Sequence, residues 1–262
     1  TTQGYTESER EIEEKIEKIA RLATGQIFFT TISSNISRMK QALNVADKLG
    51  RKAVFIGRSI DKKAGIARDL DYLSYPRDLV IEPKHAGKLN NDQVLYIISG
   101  SYGQPGSALY RLAIKEHDFL KIEQGDTVIF SGDPAPPGSK SNVDFVVDKL
   151  IEANVDVHYY DLQEDLHVSG HGSQKDIEML FALSKPKYFI PIGGTIRHMR
   201  AYNLIAQKMG ALSGNVFELT PGESVEFSNN TAKPGAKIEV KDVLVDGLGI
   251  VYVGNVVLRD RK

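Results

Sequence analysis

Residues 93–117 read QVLYIISGSYGQPGSALYRLAIKEH, and the order of features within them decides the fold. An apolar run over 93–99 opens into a loop of three glycines and three serines over 99–107. A helical pattern follows over 106–117. A strand that reads as a continuous apolar run is covered on both faces, and a strand that passes through a loop into a helix belongs to a parallel sheet.

Outward from this stretch the same alternation recurs. Strands are predicted at 26–32, 52–56, 78–81, 126–131, 156–160, 187–192 and 215–219, with helices at 36–49, 62–73, 141–153, 173–183 and 195–209 between them. Gly50 and Gly210 close two of these helices. Residues 7–21 alternate glutamates with Lys15, Lys18 and Arg21 while Ile12, Ile16 and Ile19 recur at helical spacing, the mark of a solvated helix face. Thr6 and Glu9 have the spacing of a capping box at its start. After Phe227 a polar connector with glycine and proline leads to β-like runs at 238–245 and 250–258. The expected fold class is α/β, with a short β tail.

Composition excludes several functions. The chain has 262 residues, 41% hydrophobic and 26% charged, the balance of an ordinary globular protein. No run approaches eighteen apolar residues, so no membrane span is predicted. The absence of cysteine removes disulfides and thiolate metal sites and fits a cytoplasmic location. A start at Thr1 points to a trimmed or partial chain. The net charge of −1 and pI near 6.6 announce no general affinity for polyanions, so any anion site has to be local.

In parallel α/β sheets, chemistry gathers in the loops beyond the carboxyl ends of the strands. Four loops fit. Ser33, Ser34 and Asn35 precede a helix carrying Arg38; Gly57, Arg58 and Ser59 follow a strand; the serine–glycine loop over 99–107 includes Ser101 and leads to Arg111; and His167-Val168-Ser169-Gly170-His171-Gly172-Ser173 forms the fourth. Each has a plainer reading. A serine or asparagine before a helix is usually a cap, and a lone glycine-rich turn carries neither the Walker lysine nor the dinucleotide spacing. His171 is open to acid–base or structural roles. Together the four loops point to a phosphate-bearing ligand.

The sequence resembles the β-CASP metallo-β-lactamase nucleases, and within them the ribonuclease J family, along nearly its whole length. The resemblance rests on Gly4-Tyr5-Thr6-Glu7-Ser8-Glu9, Ser34-Asn35-Ile36-Ser37-Arg38, Gly57-Arg58-Ser59, the loop Gly100 to Leu109, His167-Val168-Ser169-Gly170-His171, the run Lys185 to Pro191, and Val243 to Gly249. It implies a β-CASP domain over 1–150, the C-terminal half of the αββα metallo-β-lactamase domain over 151–227, and a β tail or linker over 228–262. The resemblance further implies part of a metal-dependent ribonuclease, exonuclease or endonuclease, acting in mRNA decay and rRNA processing. Its substrate would be single-stranded RNA, with 5′-monophosphorylated ends; its metal, zinc or manganese; its full-length form, a homo-oligomer. The family's HxHxDH metal segment would lie upstream of Thr1, so the isolated chain is expected to bind no metal and not to cleave. By carry-over His171 is the general acid, while Ser34, Asn35, Arg38, Arg58, Ser59, Ser101, Ser169, Gly170, Gly172 and Ser173 hold RNA phosphate.

The sequence departs from the family pattern at three places. Pro191-Ile192-Gly193-Gly194-Thr195 stands for PVHGE, so Gly193 replaces a ligand histidine, with His198 a turn further on; Gln104 replaces a glutamate; and 134–139 alters a PIPGN-like turn. The Gly193 change puts a two-metal site in doubt, though one metal with its remaining ligands could still activate water; a second reading, an RNA-binding pseudoenzyme, would follow from loss of the upstream segment, and a phosphometabolite enzyme ranks last.

Overall fold

A computed structural model describes residues 2–132, 138–159, 166, 170–241, 245–246 and 249–250. Two compact units emerge: 6–170, and 171–262 together with 1–5.

The first unit is built on five strands, β1 (Ile27–Thr30), β2 (Lys52–Ile56), β3 (Val94–Ile98), β4 (Thr127–Phe130) and β5 (Asp156–His158), in the order β2-β3-β1-β4-β5. Every neighbouring pair is parallel, and Phe29 lies opposite both Ile97 and Ile129. Alternate side chains leave the sheet on opposite faces. Phe29, Leu95 and Ile97 meet α1 (Glu9–Leu22), α2 (Ile36–Lys48) and α3 (Arg58–Asp69). Phe28, Tyr96 and Val128 meet α4 (Pro83–Ala86), α5 (Ala108–Ala113) and α6 (Lys140–Glu152). Both faces are thus dry, as the apolar runs required, and each buried Ile or Phe contributes about 1.5–3 kcal/mol of transfer free energy. The sheet takes in β5, beyond the residue 150 at which the sequence reading ends its first domain.

Several boundaries move. The helix expected at 62–73 runs as α3 from Arg58, because Gly57, at φ +111°, turns the chain into a helix directly after β2. It stops early where Asp71, at φ +60°, redirects the chain and buries Leu73. The helix expected at 106–117 is the shorter α5, which Ser107 opens by accepting from the Tyr110 N–H and after which Lys115, at φ +61°, turns the chain away. The strand expected at 78–81 reduces to one parallel bridge, Ala53 to Val80. The cap of α1 is Ser8, whose hydroxyl accepts from Arg10 N, and not Thr6.

The second unit has a small aromatic core. Phe181 on α7 (Gln174–Ser184) meets Phe189 and, on α8 (Ile196–Lys208), Tyr202, at ring separations of 4.8 and 5.1 Å. The strands expected at 187–192 and 215–219 reduce to a single parallel bridge, Phe189 to Val216. Inside the supposed connector lies an antiparallel hairpin, β6 (Val225–Ser228) with β7 (Thr231–Pro234). Its turn is Asn229-Asn230, both with positive φ, the backbone a two-residue type I′ hairpin demands. Of the tail runs, β8 (Val245–Asp246) pairs with β9 (Gly249–Ile250); 251–258 lies outside the described residues. Among the described residues no helix is long and apolar enough to cross a membrane.

Candidate nucleic-acid interface

Strand order places a crevice in the first unit. The chain leaves β1 and β2 for helices on one face, α2 and α3, but leaves β3 for α5 on the other. Loops that part in this way open a cleft beyond the carboxyl ends of the strands. The cleft has a volume of about 880 Å³ and is lined by 31–33 after β1, 56–59 after β2 and 99–102 after β3. Its walls are closed by Arg111 from α5 and by His117 and Phe119 beyond it. Gly57 is needed where β2 meets α3, since a Cβ there would overlap the Ser99 hydroxyl. That close approach leaves α3 without a side-chain cap, so its first-turn N–H groups begin at the cleft.

The electrostatics of the cleft are one-sided. Arg58, Lys62 and Arg111 line it, and among the described residues no aspartate or glutamate does; Gln104 is also in the lining. Lys63 adds a further cation by donating to Ser33 Oγ at 3.0 Å. Arg111 is held by Asp118 at 3.2 Å through Nη1, but its buried Nε has no hydrogen-bond partner. The hydroxyl of Thr31, a residue 1% exposed, has none either. Both residues line the cleft, while these two atoms lie beneath its surface. Burial, and then the charge of Arg111, pushes the pKa of His117 below the usual imidazole value.

The residues singled out in the sequence divide. Arg58, Ser59 and Ser101 line this cleft. Ser34 and Asn35 line a separate, shallower hollow with Ile32 and Ser37, and Asn35 caps α2 by accepting from Arg38 N at 3.1 Å. Arg38 is turned inward: 1% exposed, it donates to Gln41 at 3.2 Å and to Glu9 at 3.3 Å. Its guanidinium therefore serves the packing of α1 on α2. Ser169 lies outside the described residues, as does His167. Gly170 is exposed, at the end of the first unit.

His171 is exposed in the second unit, three residues before α7. After it the backbone donors of Ser173, Gln174 and Lys175 already have partners. Ser173 forms a reciprocal capping box with Asp176, whose carboxylate accepts from Ser173 N at 2.8 Å. The carbonyls of Thr2 and Gly4 accept from Gln174 N and Lys175 N, both at 2.9 Å. A Cβ on Gly172 would sit 3.1 Å from that of Asp176, so the glycine makes room for the cap. Lys62, Arg111 and Thr31 were not picked out as ligands in the sequence. Lys62 was within reach of it, because a lysine four residues after Arg58 shares its helix face. His117 and Phe119 carry no local signal.

For a metal, the described residues fit poorly. They contain no group of three or more His, Asp or Glu placed to hold an ion. Gly193 offers no donor, and His198 is committed to capping α8: its Nδ1 accepts from Thr195 N at 3.1 Å. A neutral imidazole that accepts at Nδ1 carries its proton on Nε2, which leaves no lone pair there for a metal.

A doubly covered parallel sheet with a cationic, serine- and glycine-lined cleft at its switch point defines a doubly wound α/β domain with an anion-binding crevice. Residues 24–150 match the family described as "Ribonuclease J, beta-CASP domain". Along nearly its whole length the chain is similar to curated ribonucleases J. It is 36% identical over 259 residues to Ribonuclease J2 of Bacillus subtilis, covering 99% of this chain and 46% of that protein. It is 35% identical to Ribonuclease J 1 of Streptococcus pyogenes (98% and 46%) and 34% identical to Ribonuclease J of Synechocystis (95% and 39%). The chain thus spans about half the length of the curated relatives it matches.

Proposed function

We propose that the chain is the RNA-holding part of a metal-dependent ribonuclease, and that the cleft of the first unit takes phosphates of single-stranded, 5′-monophosphorylated RNA. One observation carries this reading: a cleft whose described lining holds three cations and no carboxylate, at an uncapped helix start. Arginine and lysine supply charge, the first-turn N–H groups of α3 supply direction, and Ser59 and Ser101 supply hydroxyl donors. Hydrolysis, as exonuclease or endonuclease, and the zinc or manganese it uses belong to the whole protein, a cytoplasmic homo-oligomer acting in mRNA decay and rRNA processing. His171 serves there as proton donor to the leaving 3′-oxygen, between glycines that admit substrate backbone.

A second reading, an RNA-binding pseudoenzyme, is favoured by Gly193 and by the engagement of His198 Nδ1. Titration of the purified chain with labelled 5′-monophosphorylated RNA at several salt concentrations tests the binding claim. Affinity is expected to fall with salt along a slope of about −0.7 per phosphate contacted. Binding that ignores salt would refute a phosphate site. Cleavage by the full-length protein, with and without added zinc or manganese, separates enzyme from pseudoenzyme.

A further inference from the structure

A second cavity, of about 1140 Å³, adjoins the cleft, and Phe55, Pro83 and Phe119 line both. Its chemistry is different. Val80, Ile81, Ala86 and Leu120 complete an apolar wall. At its rim Arg68, Lys84 and Lys121 are matched by Asp61, Glu82 and Glu123, and Lys84 is paired with Glu82 at 2.5 Å. Charges that cancel give no pull on a phosphate, so the second cavity does not repeat the role of the first.

Its polar feature is Tyr96. The residue is 3% exposed, and its ring stacks on Phe28 at 4.9 Å and 12°, which fixes its direction. Its hydroxyl makes no hydrogen bond among the described residues, although a buried tyrosine hydroxyl ordinarily finds a partner. At the threshold, Phe119 is 57% exposed yet held: His117 meets it edge-on at 4.8 Å, and His117 Nδ1 accepts from Leu120 N at 3.3 Å. An exposed aromatic on a braced loop is a stacking platform.

We infer that the second cavity accepts a nucleobase, that of the nucleotide whose phosphate lies in the adjoining cleft. The ligand has to be flat and apolar-faced with a hydrogen-bonding edge: the faces meet Phe119 and the aliphatic wall, and the edge meets the Tyr96 hydroxyl. The inference rests on the phosphate reading of the cleft, and the experiment separates the two. The isotope-labelled chain is titrated by NMR with adenosine, guanosine, cytidine and uridine, and separately with inorganic phosphate. Nucleosides are expected to shift Val80, Ile81, Ala86 and Tyr96, and phosphate to shift Arg58, Ser59 and Lys62. Tyr96→Phe keeps the ring stack and is expected to weaken nucleoside binding about 3- to 10-fold, the worth of one hydrogen bond, with phosphate binding unchanged. Phe119→Ala, at an exposed position, is expected to weaken it about 5- to 100-fold through lost stacking. Phosphate shifts without any nucleoside shift at the cavity would overturn the base pocket and leave the cleft reading standing. Nucleoside shifts without phosphate shifts would overturn the pairing of the two sites. Full nucleoside affinity in both variants would overturn the assignment of the cavity.

Discussion

The guanidinium of Arg38 reaches the carboxylate of Glu9, 29 residues earlier in the chain, at 3.3 Å, and ties α2 to α1 from a position that is 1% exposed. Arg38→Ala removes a fully buried side chain and leaves Gln41 short of a partner. It is expected to cost about 2–4 kcal/mol, read as a lowered urea midpoint at unchanged m-value. The slope of RNA affinity against salt should not change, whereas a phosphate ligand would flatten it.

Arg58 and Lys62 should behave in the opposite way. Both are exposed, one turn apart on α3, and neither has an ion-pair partner among the described residues. Each change to alanine is expected to leave stability within about 0.5 kcal/mol. Each should reduce the salt slope of RNA binding by about 0.7, measured by fluorescence anisotropy.

His117 predicts a pH effect whose sign follows from its depressed pKa. The folded protein favours the neutral ring, because burial and Arg111 disfavour its charge. The stability it contributes is therefore fully present above the ordinary histidine value near 6.5 and is lost as pH falls through the lower folded value. Protonation also removes the acceptor for Leu120 N. In thermal melts from pH 7.5 to 5, the difference between the parent chain and His117→Asn should shrink towards the acid end. A constant difference would mean that the ring does not titrate in this range.

Gly57→Ala combines a backbone that L-residues avoid with overlap on the Ser99 hydroxyl. A cost of at least about 2 kcal/mol is expected, together with lost RNA binding, because the start of α3 has to shift. Chemical denaturation and the same anisotropy assay measure both.

In the full-length protein, His171→Ala is expected to lower turnover about 10²- to 10⁴-fold while stability and RNA affinity hold. Substrates with a good leaving group should recover most of the loss. Equal loss on both substrate types would leave His171 a structural role.

The strands of the first unit were legible in the sequence because a parallel sheet covered twice leaves an unbroken apolar run, as at Val94–Ile98. The carboxyl-end loops were legible for the same reason. What escaped were features set by distant partners. Arg38 looks like a phosphate ligand until Glu9 and Gln41 are seen to receive it. The cap at Ser173, closed by Asp176 three residues on, was in view, since a serine before a helix is usually a cap. The start of α3 was misplaced because Gly57, Arg58 and Ser59 read as a loop, and the hairpin at Asn229-Asn230 was passed over because its strands are short and polar. The cleft draws residues from five segments, and Phe119 joins it only through the turn after α5.

The carbonyls of Thr2 and Gly4, resting on the first N–H groups of α7, make the opening residues a part of the unit that the end of the chain completes. Position 4 and position 175 are therefore neighbours in space although the whole of 6–170 separates them in sequence. The first unit is a detour from a path that nearly closes without it. A short glycine linker from the opening residues to the start of α7 would splice the second unit into one chain, and the long detour, released, would make another.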